Sequence, residues 1–246
     1  MVKAGLSAVD SAREIAAGQL TSEQLVSASL GRIEAREPEV LAWVHIDSNA
    51  ALEQAKARDE ERSNGEVLGP LHGVPVGLKD IIDTADMPTT AGTIALATSI
   101  PNDDATQVRR LREAGAIILG KTNMHELAYG ITTLASLGGQ TRNPYDPERN
   151  PGGSSGGTGA AVAASFGAFG MGSDTCGSIR IPSAHHALVG LRGTRGLASG
   201  DGIIPLSRTQ DIGGPLARSV EDLAIALDAT VGFDPADQVT KASEGN

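Results

Sequence analysis

The run Gly73-Val74-Pro75-Val76-Gly77-Leu78-Lys79-Asp80-Ile81-Ile82 sets an ammonium group among valine, leucine and isoleucine. A chain carrying it must fold so that Lys79 either finds a partner or gives up its proton. Burial disfavours the charged form and lowers a lysine pKa by up to several units. A neutral lysine is a base. The placement stands out in a chain with five lysines against fifteen arginines. A second feature starts at Gly152-Gly153-Ser154-Ser155-Gly156-Gly157, followed by Asp174-Thr175-Cys176-Gly177-Ser178-Ile179-Arg180, with Ser178 placed 24 positions after Ser154. A base and two serine-bearing turns together suggest a serine hydrolase whose base is lysine.

Composition narrows the fold. With one Trp, two Tyr and three Phe in 246 residues, the core must be built from Ala, Val, Leu and Ile, and the 31 glycines point to tight turns and close backbone approaches. That suits an α/β enzyme. The formal net charge of −10 and the lack of a basic patch argue against a nucleic-acid partner, because phosphate binding needs clustered Lys and Arg. Cys176 stands alone, so no internal disulfide is expected, in keeping with a reducing cytosol. The N-terminus reaches Asp10, Arg13 and Glu14 with no apolar leader, and no stretch approaches the ~20 apolar residues of a membrane span. The expectation is a cytoplasmic protein with no membrane contact.

Residues 7–20 and 22–37 read as helices, the second opened by Thr21 with Gln24 at capping-box spacing. A third helix is expected over 48–62. From residue 70 the texture turns to short β-branched runs, with strands over Val74–Leu78 and Ala116–Leu119 and a helix over 103–114 between them. Further on, Gly159–Ala168 reads as a small-residue helix, Gly190–Thr194 and Gly202–Leu206 as short strands or turns, and 219–231 as a helix capped by Ser219. The rhythm predicts an α/β fold, a mixed β-sheet core covered by helices. One domain is expected over 1–246, with a helical region at 1–62, a catalytic core at 70–232 and an irregular tail at 233–246.

Other hydrolase patterns compete and fail. Ser155 is the central serine of a G-x-S-x-G pattern, and Asp174 and His186 follow it in triad order. Such an elbow needs a strand just before it, whereas residues 142–151 carry three prolines. No lysine follows a serine at S-x-x-K spacing, and neither a phosphate loop nor a clean G-x-G-x-x-G is present. His125 and Glu126 lack H-E-x-x-H partners, so neither a metal nor a cofactor is expected.

Several motifs in order carry a family resemblance: Gly69-Pro70-Leu71-His72-Gly73-Val74-Pro75, Lys79-Asp80, Thr89-Thr90-Ala91-Gly92-Thr93, Gly120-Lys121-Thr122-Asn123-Met124-His125-Glu126, the serine–glycine segment, Ile203-Ile204-Pro205-Leu206-Ser207 and Gly214-Pro215-Leu216-Ala217-Arg218-Ser219. On these the chain resembles the amidase signature family. The resemblance implies a Ser–cisSer–Lys triad of Ser178 as nucleophile, Ser154 as bridging serine and Lys79 as base. It implies an oxyanion hole from the amides of Thr175, Cys176, Gly177 and Ser178, with support from Ser155, Asp174 and Arg180 and substrate contacts at Met124, Gly152 and Gly153. Blander readings stand beside these. Lys79 pairs with Asp80 or Asp174 as a structural lysine; Ser154 and Ser155 cap a helix; His185 and His186 pack.

Two departures bear on function. Cys176 stands where the family often has glycine, and family members are usually much longer, so the resemblance implies an open site without the usual C-terminal half. Three functions follow from it. The first is hydrolysis of a small or aryl neutral amide through an acyl-serine. The second is the glutaminase subunit of a tRNA-dependent amidotransferase. The third is a weakly active or scaffolding module that self-associates through an open sheet edge. The expected partner is a small-molecule amide, with a homo-oligomer as a further candidate.

Overall fold

In the computed structural model, which describes residues 5–245, side-chain alternation along the strands decides which helices each residue serves. Helices α1 (Ala8–Ala16) and α2 (Ser22–Val40) lead to strand β1 (Trp43–Ile46), helix α3 (Ser48–Ser63) and strand β2 (Pro75–Lys79). Helix α4 (Thr106–Glu113) then precedes β3 (Ile117–Thr122) and the small hairpin β4 (Leu134–Ala135) and β5 (Gly139–Gln140). The rest is α5 (Gly156–Ala163), β6 (Phe169–Asp174), α6 (Arg180–His185), β7 (Val189–Gly190), β8 (Ile212–Ala217) and α7 (Val220–Asp228). The main sheet runs β1-β3-β2-β6-β8-β7. Its centre, β3-β2-β6, is parallel, and the flanking pairs are antiparallel. This is the mixed α/β architecture the sequence leads one to expect.

The two faces of the sheet are built from different residues. Val76, Leu78, Ile118, Phe169 and Met171 join α4 and α7 residues in one apolar cluster, while Ile117 and Leu119 join α2, α3 and α5 in another. On β6 the residues that face α5 are the glycines Gly170 and Gly172. A Cβ on Gly172 would lie 2.8 Å from the Ser155 hydroxyl, and one on Gly157 would lie 2.2 Å from the Asn123 carbonyl. Only a strand and a helix without side chains at these points let α5 settle so close to the sheet. By the same alternation Lys79, paired with Thr122, faces α5.

Several local expectations need correction. Helix α2 runs on through Pro38 to Val40, because a proline in the last turn removes one hydrogen bond only. Its capping box forms as expected, with Gln24 N 3.0 Å from Thr21 Oγ1. The expected helix 159–168 instead covers 156–163, and residues 169–174 are the central strand β6, whose Gly, Ser and Asp are poor strand formers out of context. Strands β1 and β8 carry no clear local signal, β8 because of Pro215. That proline is tolerated because β7 ends opposite Leu216. The stretch 202–206 contributes only the bridge Ile203↔Ile82. The tail expected to be irregular holds a 3-10 turn over Gln238–Ser243 and is tied down at Asp234 by the hydroxyls of Thr106 and Ser199, each at 2.6 Å. Among the described residues no helix is long and apolar enough to cross a membrane, and no group of three or more His, Cys, Asp or Glu side chains is placed to hold a metal ion.

Candidate active site

The carboxyl ends of the parallel strands β2 and β6 meet the N-terminus of α5, the usual place for a ligand in open α/β sheets. Lys79 ends β2, Ser154 and Ser155 open α5, and Ser173 and Asp174 end β6. All five side chains are buried, Lys79 completely. The Lys79 Nζ lies 2.6 Å from Ser154 Oγ and 2.8 Å from Ser173 Oγ. No carboxylate lies within ion-pair distance of it among the described residues. Asp80 is turned away, its carboxylate accepting the Thr90 amide and hydroxyl and the Gly92 amide. Burial pulls the Lys79 pKa down to about 7, against weaker opposition from the charges of Asp174 and Asp211. The structural pairings of Lys79 with Asp80 or Asp174 are therefore absent, and its amine is part-neutral at physiological pH.

The serine segment is held from several sides. The Gly153–Ser154 peptide bond is cis. Thr133 Oγ1 donates to the Gly152 carbonyl at 2.7 Å and accepts the Gly156 amide at 3.0 Å. The Ser154 carbonyl accepts the His125 amide at 3.0 Å, and the Ser155 amide donates to the Ser178 carbonyl at 3.2 Å, joining the two serine-bearing segments directly. Ser155 Oγ donates to the Ser173 carbonyl at 3.1 Å, so it fixes strand β6 and not Lys79 itself. No side-chain cap forms at α5, which removes the capping role for these serines.

Asp174 shapes the turn that carries Ser178. Its carboxylate accepts the amides of Gly177 at 2.7 Å and Ile179 at 3.0 Å, and it pairs with Arg180 through two contacts of 3.0 and 3.1 Å. Arg192 adds an unforeseen ion pair at 3.4 Å. Although burial alone would raise it, these hydrogen bonds, led by Arg180, hold the Asp174 carboxyl below the usual range. The Gly177 amide is thus already committed, which corrects its place in the expected oxyanion hole. The amides of Thr175, Cys176 and Ser178 have no acceptor among the described residues. Thr175 Oγ1 is fixed by Asp211 at 2.5 Å, and Asp211 in turn accepts the Leu206 and Ser207 amides.

The remaining expected residues fall in different places. Ser178 is 8% exposed, and its hydroxyl makes no hydrogen bond to Ser154. Gly152 and Gly153 lie buried in the serine segment, and a Cβ on Gly153 would press within 2.8 Å of Ile131. Met124 is fully buried in the apolar cluster on the α4 and α7 side, so its side chain offers no free surface to a substrate. Cys176 is exposed beside the turn. His186 is buried with Nδ1 2.8 Å from the Pro182 carbonyl, has no serine partner, and is drawn down to about 4 by burial. The Ser155–His186 elbow is not assembled. Sequence reasoning missed Ser173, although the need of a buried amine for a second acceptor pointed to a hydroxyl near the end of a neighbouring strand.

A family model described as Amidase matches residues 24–245. The A-type subunit of the glutamyl-tRNA(Gln) amidotransferase of Streptomyces coelicolor is 46% identical over 235 residues, covering 96% of this chain and 47% of that protein. Among solved structures, the native peptide amidase of Stenotrophomonas maltophilia superposes with a TM-score of 0.94 at 46% identity, covering 98% of this chain and 50% of that one. A fatty acid amide hydrolase superposes with a TM-score of 0.87 at 32% identity, covering 92% and 41%. The chain spans about half the length of the curated relatives it matches.

Proposed function

The chain belongs to the amidase family, and from that premise we propose that it hydrolyses carboxylic amides to an acid and ammonia or an amine through an acyl-Ser178 intermediate. Lys79 acts as base: its neutral amine takes the Ser154 proton as Ser154 takes that of Ser178. The Ser178 oxygen then bonds to the amide carbon. Free amides of the 175–178 turn hold the oxyanion, each such donor being worth about 2.7–4 kcal/mol. As the C–N bond breaks, the proton returns through Ser154 to the leaving nitrogen. Water repeats the sequence on the ester and frees the acid. The relay requires Ser178 to close on Ser154 once substrate is bound, and catalytic hydrogen bonds commonly tighten in that complex.

The observation that carries this reading is the Lys79 amine, fully buried and bonded to hydroxyls alone. A small or aryl neutral amide fits the rim best. Leu127, Tyr129 and Ile131 are exposed beside the segment that touches Gly153, and the nearby guanidinium of Arg180 is engaged by Asp174. Likeness to the amidotransferase protein of Streptomyces coelicolor favours a second reading, a glutaminase working with partner chains. A single exposed cysteine suits work in a reducing cytosol.

A fluorophosphonate probe with mass-spectrometric mapping tests the chemistry, and labelling at Ser178 is expected. Labelling at Ser155, or none, overturns it. Release of p-nitroaniline from anilides supports the hydrolase, whereas turnover confined to glutamine supports the glutaminase.

A further inference from the structure

A second lysine, Lys121 on β3, is as buried as Lys79, and the proposed chemistry does not use it. It pairs with Leu78, one residue before Lys79, and so serves the opposite face of the sheet. Its Nζ donates to the Ile82 carbonyl at 2.6 Å and to Thr89 Oγ1 at 2.7 Å. These two acceptors are the two ends of the loop that follows β2. At the near end, the amides of Ile81 and Ile82 donate to the Lys79 carbonyl at 2.8 and 2.9 Å, so the turn held by Lys121 is the turn built on Lys79. At the far end, the Thr90 and Gly92 amides close on the Asp80 carboxylate and the Ala91 amide on the Asp80 carbonyl. The Ala91 carbonyl then accepts the Leu127 amide at 2.8 Å, at the rim of the site.

We infer that Lys121 is a positioning residue for Lys79: its ammonium clamps the loop 82–89 onto the turn that starts at Lys79, and so keeps the Lys79 amine sealed and aimed at Ser154. Four carboxylates, Asp80, Asp83, Asp86 and Asp104, favour the Lys121 charge, while Asp174, Asp211 and His125 are the titratable groups facing Lys79. The amine spends two N–H donors on the Ile82 carbonyl and the Thr89 hydroxyl, and an apolar isostere leaves both acceptors without a donor. Loosening the turn admits water to Lys79, and deletion of the neighbouring positive charge acts in the same sense. Both make the Lys79 amine easier to protonate.

This inference rests on the reading of Lys79 as the base, and its test uses a signal independent of turnover. The Cε resonance of Lys79 is titrated by carbon NMR in the full chain, with assignment against Lys79→Met. In Lys121→Met the midpoint is expected to rise by about half a unit or more. The rate at pH 7 is expected to fall about tenfold with KM little changed, part of it returning at alkaline pH. Thr89→Val, which keeps the charge and removes one acceptor, shifts the midpoint the same way by less. An unmoved midpoint in folded Lys121→Met overturns the inference, even with a lower melting temperature. If Lys121→Met does not fold, an unmoved midpoint in folded Thr89→Val overturns it. A chain that fails to label at Ser178 removes the hydrolase reading alone, since the midpoint still judges the clamp.

Discussion

Lys79 and Lys121 lie on neighbouring strands, both with no accessible surface, and leave the sheet by opposite faces. Neither makes an ion pair among the described residues, and their surroundings differ. Lys79 sees two hydroxyls at contact distance, and the stronger of the two carboxylates that act on it, Asp174, is already shared by Arg180 and Arg192. Lys121 holds a carbonyl and sits in the field of four carboxylates. Burial lowers both, the first to about 7 and the second to about 8. Desolvation lowers both, and what surrounds the amines differs: two hydroxyls touch Lys79, whereas a carbonyl, a hydroxyl and the field of four carboxylates surround Lys121.

The largest effect expected is from removing the proposed base or the proposed nucleophile. Lys79→Met and Ser178→Ala should each lower kcat/KM by about 10³-fold or more, measured on an anilide. Lys79→Met should also stabilise the fold, since a buried amine gives way to an apolar isostere. The sign follows from the depressed pKa. Below about pH 7 the amine is protonated when folded and unfolded alike, and the penalty is full. Between about 7 and the ordinary lysine value of 10.5 the folded chain holds it neutral, so the penalty shrinks as pH rises. The stability gain of Lys79→Met in thermal melts should be greatest in acid and fade toward pH 10.

Ser173→Asp breaks the comparison on purpose by giving Lys79 a carboxylate. The rising limb of the pH–rate profile should move up by about one unit or more, and most activity at pH 7 should be lost. Ser173→Ala removes a single hydrogen bond and should cost about tenfold in kcat at most, near the ~1.4 kcal/mol of one such bond. His186→Gln should have the smallest effect, leaving the pH profile in place. A larger loss there than in Lys79→Met would restore the elbow reading.

The anomaly at Lys79 is legible in the sequence because an amine in an apolar run has few physical outcomes, and the spacing of the two serine segments locates its partners. The alternation Phe169-Gly170-Met171-Gly172 is equally regular, yet it gives no strand signal by itself, because glycine weakens every strand pattern while here it allows the close approach of α5. Pro215 hides β8 for a related reason: its tolerance depends on where β7 stops, a fact of tertiary pairing. The loss of the Gly177 amide to Asp174 and the burial of Met124 are likewise beyond local pattern, because both depend on which way a turn or side chain faces after packing.

The most direct measurement is the titration of the Lys79 Cε resonance in the unsubstituted chain. A midpoint near 7 is the result expected of a buried base held by hydroxyls. A midpoint near 10.5, the value of a lysine in water, would contradict it.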